Sequence, residues 1–158
     1  VGPLTKESIA FKATDLVGLN GEIASGETLT RGLAVNIATA VTATGTKTGQ
    51  NVGAVAADET FVGVIRVEAV GGAGSATFRI EESQNDGGAD PYAQITGLTI
   101  VVDGAAVAGA NEVTFTGKGI ARLYKTGAVE AWRRLNCTAY ATFTSVTVTF
   151  TSGTEMPD

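Results

Sequence analysis

Two runs of alternation between apolar residues and hydroxyl-bearing or charged ones constrain this chain more than any other feature. Over residues 131–140, Leu135, Cys137 and Ala139 oppose Arg134, Asn136 and Thr138; over residues 145–151, Val146, Val148 and Phe150 oppose Thr147, Thr149 and Thr151. A period of two sends successive side chains to opposite faces of a strand, so each run predicts one core face and one wet face. Taken as a pair, the runs predict a β-hairpin that carries no catalytic group.

The same pattern recurs through most of residues 60–151. Residues 60–70 read as a strand with Phe61, Ile65 and Val67 on one side and Val62, Val64, Arg66 and Glu68 on the other. Apolar residues on both sides of its first half predict cover on both faces. Gly71-Gly72-Ala73-Gly74 predicts a hairpin turn into a strand over 76–83, with Phe78 and Ile80 inward and Arg79 and Glu81 outward. Residues 84–90 (Gln-Asn-Asp-Gly-Gly-Ala-Asp) predict a loop, because Asn, Asp and Gly accept positive φ at low cost. Further strands fall near 93–95, 98–103, 112–116 and 120–124. Short strands at this spacing predict an all-β fold, an antiparallel β-sandwich or jelly roll.

The N-terminal third is less regular. Residues 1–20 scatter Leu4, Ile9, Phe11 and Leu16 among charges, which predicts an extended arm, or a short helix from Thr5, that orders against a neighbouring subunit. Residues 26–32 predict a turn feeding a strand marked by Leu33, Val35 and Ile37. Residues 38–58, rich in Ala, Thr, Gly and Val, predict a long flexible loop or weak edge hairpin, because they offer little bulk to bury. The expected organisation is an arm over 1–20 and a single sandwich domain over 21–158.

Composition narrows the chemistry. With no histidine among 158 residues, Ser-His and Cys-His pairs do not exist and zinc loses its commonest nitrogen ligand. Cys137, the lone cysteine, forms no intrachain disulfide and sits on an inferred core face. A formal charge of −5 argues against wrapping nucleic acid with the whole surface. No apolar run reaches the roughly 18–20 residues of a transmembrane helix. The opening Val1-Gly2-Pro3-Leu4 lacks the basic and apolar regions of a signal peptide, so synthesis in a host cytoplasm is expected.

Candidate sites are few. Gly71–Gly74 precedes a strand and not a helix, so no helix N-terminus follows to hold a phosphate. Asn85, Asp86 and Asp90 offer oxygens to calcium, but their spacing matches no EF-hand loop. Glu81 and Glu82 point to opposite faces of one strand and do not bracket a glycosidic bond, and either carboxylate is expected on a solvated face. Asn136-Cys137-Thr138 matches the glycosylation triplet but lies mid-strand. Lys118, Arg122, Lys125, Arg133 and Arg134 form a basic cluster that, with Trp132 and Tyr124, reads either as an anchor for an acidic protein partner or as an ordinary sheet face with Trp132 at the core edge. No catalytic, cofactor-binding or metal-binding set emerges, and the expected role is binding and assembly, not enzymatic.

Two stretches together carry a family resemblance. Gly26-Glu27-Thr28-Leu29-Thr30-Arg31-Gly32-Leu33-Ala34-Val35, with Phe61-Val62-Gly63-Val64-Ile65 after it, resembles the cadence of small decoration (cement) proteins of tailed-bacteriophage capsids. The 78–87 stretch, with Arg133-Arg134-Leu135 and 142–148, is similar to strand-turn-strand patterns of phage head and tail β-sandwich proteins. The resemblance implies a structural virion protein on the outer capsid surface, bound to the major capsid protein, as a homo-oligomer, typically a trimer. No site residue follows from the resemblance itself; the apolar positions of the arm and the basic cluster around Trp132 supply the expected contact residues, Leu4, Ile9, Phe11, Leu16, Arg122, Trp132, Arg133 and Arg134. Alternatives are a tail-tube, head-fibre or tail-fibre module, a carbohydrate-binding sandwich with Trp132, Tyr92, Tyr124 and Tyr140 as its candidate aromatics and Trp132, Tyr124 and Tyr140 on a shared face, and, most remote, a glycosidase built from scattered carboxylates.

Overall fold

The computed structural model describes residues 22–25, 28–107 and 109–155, with side chains described from Leu33 onward. The arm expected over 1–20, with its possible helix at Thr5, lies outside the described residues. In chain order the strands are β1 (Glu22–Ser25), β2 (Thr28–Val41), β3 (Gly45–Thr46), β4 (Gln50–Asn51), β5 (Thr60–Gly71), β6 (Ser75–Ser83) and β7 (Ala93–Gln94). They continue as β8 (Thr99–Val102), β9 (Ala105–Val107), β10 (Val113–Phe115), β11 (Gly119–Thr126), β12 (Trp132–Ala141) and β13 (Ser145–Glu155).

These strands make two antiparallel sheets packed face to face, an all-β sandwich with no helix among the described residues. The larger sheet runs β1-β2-β13-β5-β11-β8-β9; the smaller runs β10-β6-β12-β3, with β4 also on β12 and β7 on β6. Between them lies one core that includes Phe61, Ile65, Phe78, Ile80, Leu135, Val148 and Phe150. Each such side chain contributes about 1.5–3 kcal/mol by leaving water. Cys137, at 1% exposure, belongs to the core as its alternation required. On the other side of β5, Val62 is also buried, in keeping with cover on both faces of that half-strand.

The two runs that predicted a hairpin do not pair with each other. β12 lies in the smaller sheet beside β6, whereas β13 lies in the larger sheet between β2 and β5. Their connection crosses the sandwich, and so does Gly71–Gly74, between β5 in the larger sheet and β6 in the smaller. The two crossovers stack: Thr144 N–H donates to Gly71 O at 2.8 Å. A side chain at Gly74 would stand 2.3 Å from Ala141 O and 2.4 Å from Phe143 N, so the glycine there permits a close backbone approach and does not face open solvent. Alternation reports which face a residue takes but not which sheet holds the strand, and that is why the hairpin reading failed.

Alternation also slips once inside β12. The register shifts between Cys137 and Ala139, so Ala139 is exposed and Tyr140 turns inward, donating to Val41 O at 3.1 Å and packing edge-on to Phe143. A bulge inserts one residue and exchanges the faces of everything after it. Two register shifts between β2 and β13, with Ala38 at φ 42°, act likewise, leaving Val35 buried but Leu33 36% and Ile37 66% exposed.

The 38–58 stretch is not one loop: residues 38–41 complete β2 in the larger sheet, and the segment after them closes the edge of the smaller sheet. β3 and β4 do not pair with each other; both lie along β12, and Lys47 N–H donates to Leu135 O between them. A genuine hairpin joins β8 to β9, where Asp103 (φ 46°) and Gly104 (φ 88°) form the two-residue positive-φ turn suited to the strand twist. Asp103 serves this corner by accepting the Ile120 N–H at 3.0 Å.

Candidate functional site

β12 carries two arginines in succession, and strand alternation sends them to opposite faces. Arg134 points outward, where β6 supplies Glu81 directly across the ladder. Arg134 meets one Glu81 oxygen through Nε and Nη2, both at 2.7 Å, and Arg79 meets the other through Nε and Nη2, both at 2.8 Å. Asn136 Nδ2 also donates to Glu81 Oε1 at 2.7 Å. Glu81 is only 3% exposed, so the solvated face expected for it is replaced by a roofed carboxylate. Burial pushes its carboxyl up, but the Asn136, Arg134 and Arg79 hydrogen bonds and the Arg134 charge outweigh burial and hold it below its ordinary value.

Tyr92 roofs this network, its ring 4.0 Å from the Arg134 guanidinium carbon. It arrives on the loop that follows β6, which its own side chains hold together. Ser83 Oγ accepts from the Asn85 and Gly87 N–H groups and donates to Asp90 O at 2.7 Å. Asp86 (φ 59°) and Gly87 (φ 76°) take the positive φ read from the sequence. The oxygens that this loop could offer to calcium are engaged locally: Asn85 Oδ1 by Asp90 N–H, Asp90 Oδ2 by Gln84 N–H and Asp86 Oδ1 by the Tyr92 hydroxyl. Burial first, then Asp86, pushes the Tyr92 hydroxyl up to about 12.

Arg133, facing the other way, is 1% exposed and lies 5.3 Å from the Phe61 ring centroid. Nη1 donates to Ser152 Oγ at 2.9 Å and Nη2 to Gly53 O at 2.8 Å; Nε is buried without a partner. None of the ion pairs among the described residues includes Arg133. Burial pulls this guanidinium down to about 10, the field of Glu82 only partly opposing it. Glu82 stands opposite on β6 and accepts the Glu130 N–H at 2.7 Å.

Arg133 lines a cleft of about 290 Å³ at this end of the sandwich, walled by Leu33, Val52, Gly53, Glu59 and Thr154. A second cleft of about 470 Å³, containing Glu82, Gln84 and Glu130, lies beyond Ala54. Burial there raises the Glu130 carboxyl, and Asp90 and Glu82 raise it further. Among the described residues, no group of three or more acidic, cysteine or histidine side chains is placed to hold a metal.

The structure does not gather the predicted basic cluster. Arg122 is exposed on β11 of the larger sheet, Lys118 precedes that strand, Trp132 and Arg134 lie on the smaller sheet, and Arg133 is buried between the layers. Arg133 therefore offers no flat contact surface and borders solvent space only as part of the cleft lining. Leu4, Ile9, Phe11 and Leu16 lie outside the described residues. The aromatic face proposed for carbohydrate is also divided, with Tyr124 on the larger sheet, Trp132 on the smaller and Tyr140 turned inward. Parity with Leu135 and Cys137 was the available signal for the inward Arg133, and grouping it with nearby positive charges obscured it. Comparison of the chain with family models, with curated proteins and with solved structures finds no match in any of the three.

Proposed function

We propose that the protein is a structural assembly protein, an outer-capsid decoration protein that binds a major capsid protein lattice and stabilises the head. The observation that carries the assembly part of this reading is the edge of β2. From Leu33 to Thr39 it pairs with β13 on one side and with no described strand on the other. Exposed Leu33 and Ile37 lie on this stretch, whereas the carbonyls of Ala40 and Val41 already accept from Lys47 Nζ and Tyr140 OH. A long edge with apolar side chains is a template for pairing with another chain, and one that is not otherwise blocked favours a partner there. The capsid part of the reading rests on the resemblance of residues 26–35 and 61–65 to decoration proteins.

The test is co-sedimentation of the full chain with empty capsid shells, alongside the mass of the isolated protein by light scattering. Stoichiometric binding is expected, with Ile37→Asp or deletion of residues 1–20 lowering occupancy at least tenfold. Rings or rods in negative-stain images, without shell binding, would move the protein to the tail or a fibre. A monomer that ignores shells and forms no assembly would end the reading.

A further inference from the structure

Arg133 is a charge buried without an ion pair: Glu82, opposite it on β6, acts on it only through its field and is itself engaged by the Glu130 N–H. Of the five N–H groups of a guanidinium, two are used by Ser152 Oγ and Gly53 O, and both acceptors are neutral. Removing an ion from water is costly unless an opposite charge or a full set of hydrogen bonds replaces the lost solvent. Here the replacement is incomplete: Nε has no acceptor, and no described carboxylate pairs with the group. An apolar residue would fill the same position between Phe61 and the cleft without that cost.

We propose that the Arg133 cleft binds a carboxylate. The guanidinium fork matches the two oxygens of a carboxylate, and pairing in a low-dielectric site is stronger than in water. At about 290 Å³ the cleft is near the lower limit of ligand pockets, so it suits a small acid or one acidic side chain. Leu33 and Val52 supply apolar walls for the methylene groups behind such a carboxylate.

Glu59 sets the charge the site accepts. It lines the same cleft, and its Oε2 is fixed by the Ala56 N–H at 2.8 Å. A monoanion meets one positive and one negative wall group; a dianion such as phosphate doubles both the attraction and the repulsion, while its cost of leaving water rises more steeply than its charge. Selectivity for carboxylate over phosphate follows.

One carboxylate chemistry has two sources, a free small acid or an acidic side chain of another polypeptide. The site does not depend on the capsid reading, and it is tested on the full chain alone. Acetate, a blocked glutamate tripeptide and inorganic phosphate are titrated at matched ionic strength, following melting temperature and the arginine Nε–H resonances, with Arg133 assigned from Arg133→Lys. Acetate and the tripeptide are expected to shift the Arg133 resonance and raise the melting temperature by a few degrees near saturation. Phosphate should act at least tenfold more weakly, and Glu59→Gln should narrow that gap. Equal affinity for acetate and tripeptide supports a free acid; a tripeptide at least tenfold tighter supports a polypeptide side chain. Arg133→Met should abolish the response, and Arg133→Lys, which keeps the charge without the fork, should weaken it about tenfold. No shift with either carboxylate at 100-fold excess over protein and up to about 0.1 M, or an undiminished response in both Arg133 variants, overturns the proposal.

Discussion

Arg133 and Arg134 are neighbours in sequence and opposites in circumstance. Arg134 lies on the outside of the smaller sheet, partly wet, with a carboxylate held by three side chains and an aromatic roof above it. Arg133 lies inside, almost fully buried, with neutral acceptors and one unmatched donor. The more exposed arginine is the better satisfied. Charge completion in this protein follows which face of β12 a residue takes, and the inward face leaves room for something to be added.

The largest expected effect breaks the satisfied side. Glu81→Ala removes the acceptor shared by Arg79, Arg134 and Asn136 and should cost about 3 kcal/mol in urea unfolding. The next sharpens the contrast directly: Arg134→Met should cost about 1–2 kcal/mol, while Arg133→Met, in protein without added carboxylate, should be neutral or stabilising by about 1 kcal/mol. Equal losses from both would dissolve the distinction.

Acid provides a gentler probe. The folded carboxyl of Glu81 lies below its ordinary value of 4.5, so the unfolded chain takes up its proton first as pH falls. The stability it contributes is complete at neutral pH and is lost as pH drops below about 4.5 through the folded value. Glu81→Gln should therefore show a flatter acid limb in melting temperature between pH 6 and 3. The smallest effect is Tyr92→Phe, which keeps the ring over Arg134 and removes the hydroxyl bond to Asp86. It should cost about 0.5 kcal/mol, whereas Tyr92→Ala should cost more by removing the roof as well.

Much of this contrast was legible in the sequence. Phe78 and Ile80 fixed the parity of β6, which placed Arg79 and Glu81 outward together, and Leu135 with Cys137 fixed that of β12. What alternation could not supply was partnership. Nothing local distinguishes a glycine turn joining two strands of one sheet from Gly71–Gly74, which carries the chain across to the other. The slip after Cys137 was equally silent, because Thr138 has a side chain suited to either face and a bulge leaves no compositional mark. The shelter of Glu81 has no local signal, because its three partners come from two strands, one of them more than fifty residues away.

The place of β13 carries a consequence for how the chain reaches this state. It is the last described strand, yet it sits between β2 and β5, pairing with Val41 at Val146 on one side and with Ile65 at Phe150 on the other. Until its residues emerge from the ribosome, β2 and β5 have a gap between them where a whole strand belongs. Completion of the larger sheet therefore waits for this late strand, and a chain stalled short of Phe150 would present two unsatisfied edges to chaperones and proteases.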